Sequence, residues 1–354
     1  MTDVLEIRAG EYALQQIRDN GLKADDINVM LGASGGPKWF VLSGLDKVLI
    51  SEFFKGREKP LHLLGTSAGS WRFSTYAMKD PLEAHRRFEQ GYLLTSYSEQ
   101  PDAAEISMKS RILVREMLGD TGVRDIIENP VFKFNSIAVR SHGLGTSEKK
   151  WPLMAGMGLA ATANLFSRKT LSNFFTRTLF HHPDSSAPFL DMNDLPTETV
   201  PFSEQNVSDA ILSSGSIPMV MEGIRDIAGA PKGMYRDGGV TDYHFDLNFD
   251  LGDGLVLYPH FYNRMIPGWF DKALKWRKPA VDKCKNLILV SPSEEFVSKL
   301  PFGKIPDRND FVKLSYDDRV EYWQTVIAES DRLGSVFMEW VDSGRISKKV
   351  KPLF

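Results

Sequence analysis

Leu61-His62-Leu63-Leu64-Gly65-Thr66-Ser67-Ala68-Gly69 is a short apolar run closed by Gly-x-Ser-x-Gly. The run reads as a buried strand, and residues 70–78 after it are compatible with a helix. A serine on so sharp a strand-to-helix turn has a strained backbone and a hydroxyl lifted clear of the sheet, the nucleophile elbow. Gly65 and Gly69 supply the side-chain-free positions such a turn needs. Ser67 then sits at a helix N-terminus, where the dipole favours a developing anion.

A second strand–loop–helix unit lies upstream. Residues 27–31 (Ile-Asn-Val-Met-Leu) read as a strand and lead into Gly32-Ala33-Ser34-Gly35-Gly36-Pro37-Lys38-Trp39. A helical pattern follows in Phe40, Leu42, Leu45, Val48 and Leu49. Bare amides in such a loop cradle an anion. The spacing of a phosphate-binding loop fails, because Lys38 is followed by Trp39. An oxyanion hole with Gly35 and Gly36 as donors suits the loop better. The units 27–31, 40–54 and 61–64 form a βαβ crossover, which makes the two strands parallel. Both loops then leave the same carboxyl edge of one sheet, where open α/β sheets carry their sites.

Tyr235-Arg236-Asp237-Gly238-Gly239 is the third segment. By itself Asp-Gly reads equally as a hairpin turn. Before it stands Ala210-Ile211-Leu212-Ser213-Ser214-Gly215-Ser216-Ile217-Pro218.

In this order and spacing the segments resemble the patatin-like phospholipase family, over roughly residues 28–240. The resemblance implies a three-layer α/β/α sandwich with a mainly parallel sheet. It implies a Ser67–Asp237 dyad that cleaves lipid esters, of phospholipase A or lysophospholipase type, through an acyl-enzyme. Gly35 and Gly36, joined by the amide of Ala68, become the oxyanion hole, and Gly65, Gly69, Lys38, Gly238 and Gly239 support the site. No cofactor and no metal enter. Two positions depart from the family loop: Ser34 replaces its first glycine and Trp39 its last. Trp39 puts a bulky ring where the family keeps room and is expected to alter the acyl-chain path. Lys38 keeps the charge of the family's basic position without the forked geometry of Arg.

A Ser–Asp–His triad on a non-lipid esterase is the competing enzyme reading, with His244 and His260 as the histidines that follow Asp237. A catalytically silent lipid-binding scaffold is the non-enzyme reading.

The chain has 354 residues, 42% of them hydrophobic, and a net charge of −3. It is long enough for one large α/β domain, and no linker divides it, so a single domain over 1–354 is expected. The charge gives no reason to expect a nucleic-acid partner. The lone Cys284 excludes an internal disulfide, and the N-terminal residues do not read as a signal peptide, which together suit the cytoplasm. Lys283 and Lys285 beside Cys284 would lower its pKa, although a bystander thiol is the simpler reading.

Elsewhere, Leu5, Ala9, Ala13 and Ile17 space residues 4–20 as a helix. Residues 81–118 and 317–342 also read as helical, and 131–139 and 286–291 as strands. Residues 149–182 hold five basic side chains (Lys149, Lys150, Arg168, Lys169, Arg177) and no acid, around an apolar middle too short to span a bilayer. That segment reads as a helical insertion: a lid, an interfacial helix at a membrane surface, or a buried helix. The stretch Gly268-Trp269-Phe270-Asp271-Lys272-Ala273-Leu274-Lys275-Trp276-Arg277-Lys278 carries the same ambiguity.

Overall fold

A computed structural model describes residues 4–248 and 252–354. Its centre is one mixed, mainly parallel sheet with helices on both faces, the α/β/α arrangement expected. The strands are β1 (Leu5–Ala9), β2 (Ile27–Gly32), β3 (Leu61–Thr66), β4 (Phe132–Ser141), β5 (Phe175–His181) and β6 (Thr197–Pro201). They are followed by β7 (Ile224–Arg225), β8 (Met234–Asp237), β9 (Leu255–Pro259), β10 (Leu287–Pro292) and β11 (Lys351–Pro352). Their order is β11-β1-β10-β9-β2-β3-β4-β5-β6, with β8 on β4 and β7 on β8. β3, β9 and β10 are buried along their whole lengths, and β2 at every position but Asn28. Parallel strands covered on both faces read as unbroken apolar runs for this reason.

β2 and β3 are parallel neighbours, as the crossover reading requires. Between them the helix is not uniform. A 3₁₀ segment (Gly36–Leu42), an α turn (Ser43–Val48) and a π segment (Leu49–Phe53) succeed one another.

Three sequence expectations need correction. Residues 4–20 are not one helix: Leu-Glu-Ile-Arg-Ala is β1, and the helix is Glu11–Asn20. The four-residue spacing of Leu5, Ala9, Ala13 and Ile17 also fits period two over the first five residues, and Gly10 separates the elements. Residues 81–118 split into Pro81–Leu93 and Ala103–Leu118, each capped at its start by an aspartate, Asp80 and Asp102. Residues 149–182 are not one helical insertion. A helix covers Lys150–Phe166, but Phe175–His181 is β5 of the main sheet. The Phe and β-branched Thr residues of that stretch favour a strand.

Helix Lys150–Phe166 covers a small satellite core. Leu153, Met157 and Ala160 pack with Val139, Phe175 and Val240. Its opposite face is also apolar and lies in solvent, with Trp151 76% and Phe166 84% exposed beside Met154, Leu159 and Leu165. No helix among the described residues is long and apolar enough to cross a membrane.

Candidate active site

β4 is the template that brings the site together. β3 pairs with its first half and stops at Thr66 opposite Ile137. β8 pairs with its second half and stops at Asp237 opposite Ala138. Ser67 and Asp237 therefore leave the same edge of one strand at adjacent registers.

Ser67 holds φ 52° and ψ −127°, the strained backbone of an elbow. A non-glycine residue there costs on the order of 1–3 kcal/mol and persists only where its surroundings impose it. Those surroundings are visible. The Ser67 N–H donates to Ser214 Oγ at 3.0 Å, and the Ser214 hydroxyl donates to the Ile137 carbonyl at 2.7 Å. Gly69 lets the helix Ala68–Tyr76 press against β2, since a Cβ there would lie 2.0 Å from the Gly32 carbonyl oxygen. Gly65 is pressed in the same way against Ser70.

The Ser67 hydroxyl donates to Asp237 Oδ2 at 2.8 Å, with both side chains buried. Asp237 Oδ1 accepts the Gly239 N–H at 2.7 Å, which fixes the rotation of the carboxylate. Gly238 opens the short turn that follows β8. Burial raises the Asp237 carboxyl from 3.8 to about 6, against the hydrogen bonds from Ser67 and Gly239, which lower it.

The Gly-rich loop is tied to this pair through hydroxyls. Ser34 Oγ and Thr66 Oγ1 lie 2.9 Å apart, and the Thr66 hydroxyl donates to the Asp242 carbonyl. The Ser34 N–H donates to the Tyr243 carbonyl. Ser34 thus links the loop, the elbow and the turn after Asp237. Gly36 has φ +55° and faces the cleft with Gly35. Among the described residues no acceptor takes the N–H of Gly35, Gly36 or Ala68.

Beneath the turn lies a buried ion pair. Arg177 donates to both oxygens of Asp242 at 2.7 Å and also pairs with Asp194. Arg177 is therefore a structural cation and not a headgroup contact. Removing one partner from such a pair costs about 3–5 kcal/mol. Arg177→Met should lose stability of that order in urea unfolding.

Both candidate histidines lie elsewhere. His244 Nδ1 accepts the Ile266 N–H, and its ring meets His260 edge-on at 4.3 Å. His260 Nδ1 accepts the Tyr262 N–H. Burial pushes His260 down to about 3 and His244 well below its ordinary value, so both are neutral. Neither bonds Ser67 or Asp237. Trp39 does not reach the space beside Ser67: it is buried and stacks on Phe88 at 4.5 Å, turned into the core. Cys284 is buried and its thiol is pushed up to about 12, so the neighbouring lysines do not activate it.

Two spaces meet at Ser67. One is an apolar cavity of about 430 Å³ whose walls include Trp71, Ile106, Leu113, Val220 and Met221. The other is a polar cleft of about 50 Å³ that holds Asp237, Tyr243, Lys38, Lys272 and Arg308. Lys272 and Arg308 escaped sequence reasoning as site residues. Lys272 lay in a stretch noted only for its basic and aromatic character, and Arg308 stood in no motif.

A serine elbow held by a carboxylate beside a Gly-rich loop, on the carboxyl edge of a mainly parallel sheet, is the architecture of the nucleophile-elbow proteins. The patatin-like phospholipase family matches residues 33–244, more than half of the chain, and the protein belongs to that family. Among solved structures it is similar to VipD from Legionella pneumophila, at 14% identity and a TM-score of 0.32 over 73% of this chain and 53% of that one. It is also similar to human GIVD cytosolic phospholipase A2, at 11% identity and a TM-score of 0.38 over 95% of this chain and 63% of that one. The chain thus spans less than two thirds of the length of either. Comparison with curated proteins gives no match.

Proposed function

We propose that this protein is a serine acyl hydrolase that cleaves carboxylic esters of lipids, of phospholipase A or lysophospholipase type. The observation that carries the reading is the Ser67 hydroxyl bonded to buried Asp237 at the mouth of an apolar cavity. A hydroxyl needs a base at neutral pH, and a carboxylate raised to about 6 is a better base than an ordinary one. Ser67 Oγ attacks the ester carbonyl while its proton passes to Asp237 Oδ2. The amides of Gly35, Gly36 and Ala68 hold the oxyanion, each worth about 100- to 1,000-fold in turnover. Asp237 returns the proton to the departing alcohol, and the acyl chain stays on Ser67. Water then attacks the acyl-enzyme, giving its proton to Asp237 and on to Ser67 as the acid leaves.

A fluorophosphonate probe should label Ser67, identified by peptide mass. A panel of phospholipids, lysophospholipids and acylglycerols should be hydrolysed in preference to acetyl esters. Labelling with a preference for acetyl esters would move the reading to a non-lipid esterase. Absence of labelling would leave the scaffold reading.

We further propose that helix Lys150–Phe166 meets an anionic lipid surface. Its exposed apolar face is flanked by exposed Lys149, Lys150 and Lys169. A shallow groove of Met154, Met157 and Phe270 shares Met219 and Trp269 with the apolar cavity, so the helix adjoins the acyl entrance. Arg168 is left out of this surface because it pairs with buried Asp271. Each basic side chain near such a surface contributes about 1 kcal/mol. Replacing the three lysines with Gln should lower binding to anionic vesicles about 100-fold at low salt, and salt should weaken the parent in the same way. Equal sedimentation of parent and variant would overturn the contact with an anionic surface.

A further inference from the structure

Three cations line the polar cleft beside Ser67: Lys38, Lys272 and Arg308. None of them has a carboxylate within ion-pair distance among the described residues, whereas Arg168, Arg277 and Lys304 nearby do. Apart from Asp237, which lines the same cleft, the nearby acids are engaged elsewhere. Asp307 and Asp310 both bind Lys304, at 3.0 and 2.5 Å. Asp271 is buried and accepts from Asn164, Arg277 and the Gly268 N–H, with Arg168 beside it.

These acids build the frame that carries the cations. Asp271 pins the turn Trp269–Asp271, which aims Lys272 across the Tyr243 ring, with Nζ 4.0 Å from its centre. Asp310 accepts the Asp307 N–H, and Asp307 accepts the Asn309 N–H, which fixes the loop on both sides of Arg308. The Arg308 stem lies over Gly36, where an added Cβ would come within 3.3 Å of its Cγ.

We propose that Lys272 and Arg308, helped by Lys38, form a subsite for an anionic group on the alcohol side of the ester. The substrate is then an acyl ester whose head carries a phosphate or another small anion. This rests on the hydrolase reading and narrows its substrate. The assignment of sides follows from size and polarity. The 430 Å³ apolar cavity suits an alkyl chain, whereas the 50 Å³ cleft has room for about the bulk of a few waters and no second chain. Both spaces share Gly36, Ser67 and Arg308, so one molecule reaches into both across the elbow. The three cations are pressed together, and among the described residues Asp237, held by Ser67 and Gly239, is the one carboxylate that lines the cleft with them. Burial and then the nearness of Arg308 and Lys38 bring Lys272 down to about 7, and an incoming anion relieves that repulsion. Lys272 and Arg308 both lie outside residues 33–244, so two of the subsite's three cations come from the part of the chain that the family match leaves uncovered, and Lys38 from the part it covers.

The test uses a probe that the enzyme does not cleave. Octyl phosphate, octanol and inorganic phosphate are titrated into the intact protein by calorimetry at fixed ionic strength. Octyl phosphate should bind at least tenfold more tightly than either of the others. Lys272→Gln with Arg308→Gln should weaken octyl phosphate at least tenfold, and Lys272→Arg with Arg308→Lys should restore most of it. The charge-preserving pair also guards against loss through misfolding. In hydrolysis, the kcat/KM ratio of an anionic lysophospholipid over monoacylglycerol should fall in the Gln variant. A lysophosphatidylcholine arm separates phosphate recognition from net charge.

Equal octyl phosphate binding in parent and Gln variant would overturn the subsite even if esters are cleaved. Charge-dependent binding with no hydrolysis of any ester would instead keep the subsite and overturn the hydrolase.

Discussion

Ser67→Ala should lose about 10⁴- to 10⁶-fold in ester turnover and remain folded, the range seen when a nucleophilic serine is removed from a serine hydrolase. Fold retention is expected because the hydroxyl contributes one hydrogen bond, to Asp237, while the elbow is held by the backbone bond to Ser214. Ser67→Gly should lose the same activity and melt higher than Ser67→Ala. Alanine keeps the Cβ that makes φ 52° costly, whereas glycine adopts it freely, a relief of about 1–3 kcal/mol less glycine's own entropic cost. Turnover by a folded Ser67→Ala protein within tenfold of the parent would remove Ser67 from the nucleophile's role. Equal melting of the Ala and Gly variants would show that the elbow is unstrained.

What the sequence made readable was mostly what backbone geometry dictates. The elbow needs Gly65 and Gly69 because β2 and a helix approach to contact, and that demand leaves a local mark. Asp237 was readable through its two glycines and the serine-rich segment before it. The reason that segment matters was not readable. Ser214 bridges the Ser67 amide to β4, a contact between residues 147 positions apart. Helix-spaced apolar residues at 5, 9, 13 and 17 hid β1, because five alternating residues satisfy both periods. Among the five basic residues of 149–182, charge alone could not separate buried Arg177 and paired Arg168 from the exposed lysines. Lys272 and Arg308 meet Ser67 only through the tertiary fold, from loops that carry no spacing of their own.

Asp237→Asn should lose about 10⁴-fold in kcat/KM, since an amide cannot take the Ser67 proton. The geometry survives the change: the Asn oxygen still accepts the Gly239 N–H, and its NH₂ faces Ser67 Oγ. His244→Asn and His260→Asn keep the acceptor that each Nδ1 supplies and should retain most activity. Asparagine is preferred to alanine here because both rings are fully buried and truncation would leave cavities. In the parent, kcat/KM should rise with pH through about 6, where Asp237 becomes the base. Stability should move the other way. The folded state holds the Asp237 proton more tightly than the unfolded chain, 6 against 3.8. This contribution is therefore fully present below pH 4 and lost as pH rises to about 6, an effect of at most about 3 kcal/mol. Asp237→Asn carries no charge to bury, so at pH 8 it should unfold at higher urea than the parent, with the gap closing towards pH 4. A variant equally inactive but less stable than the parent at pH 8 would show that the carboxylate is held for the fold. One that is inactive and more stable would show that the fold tolerates this buried charge for its chemistry.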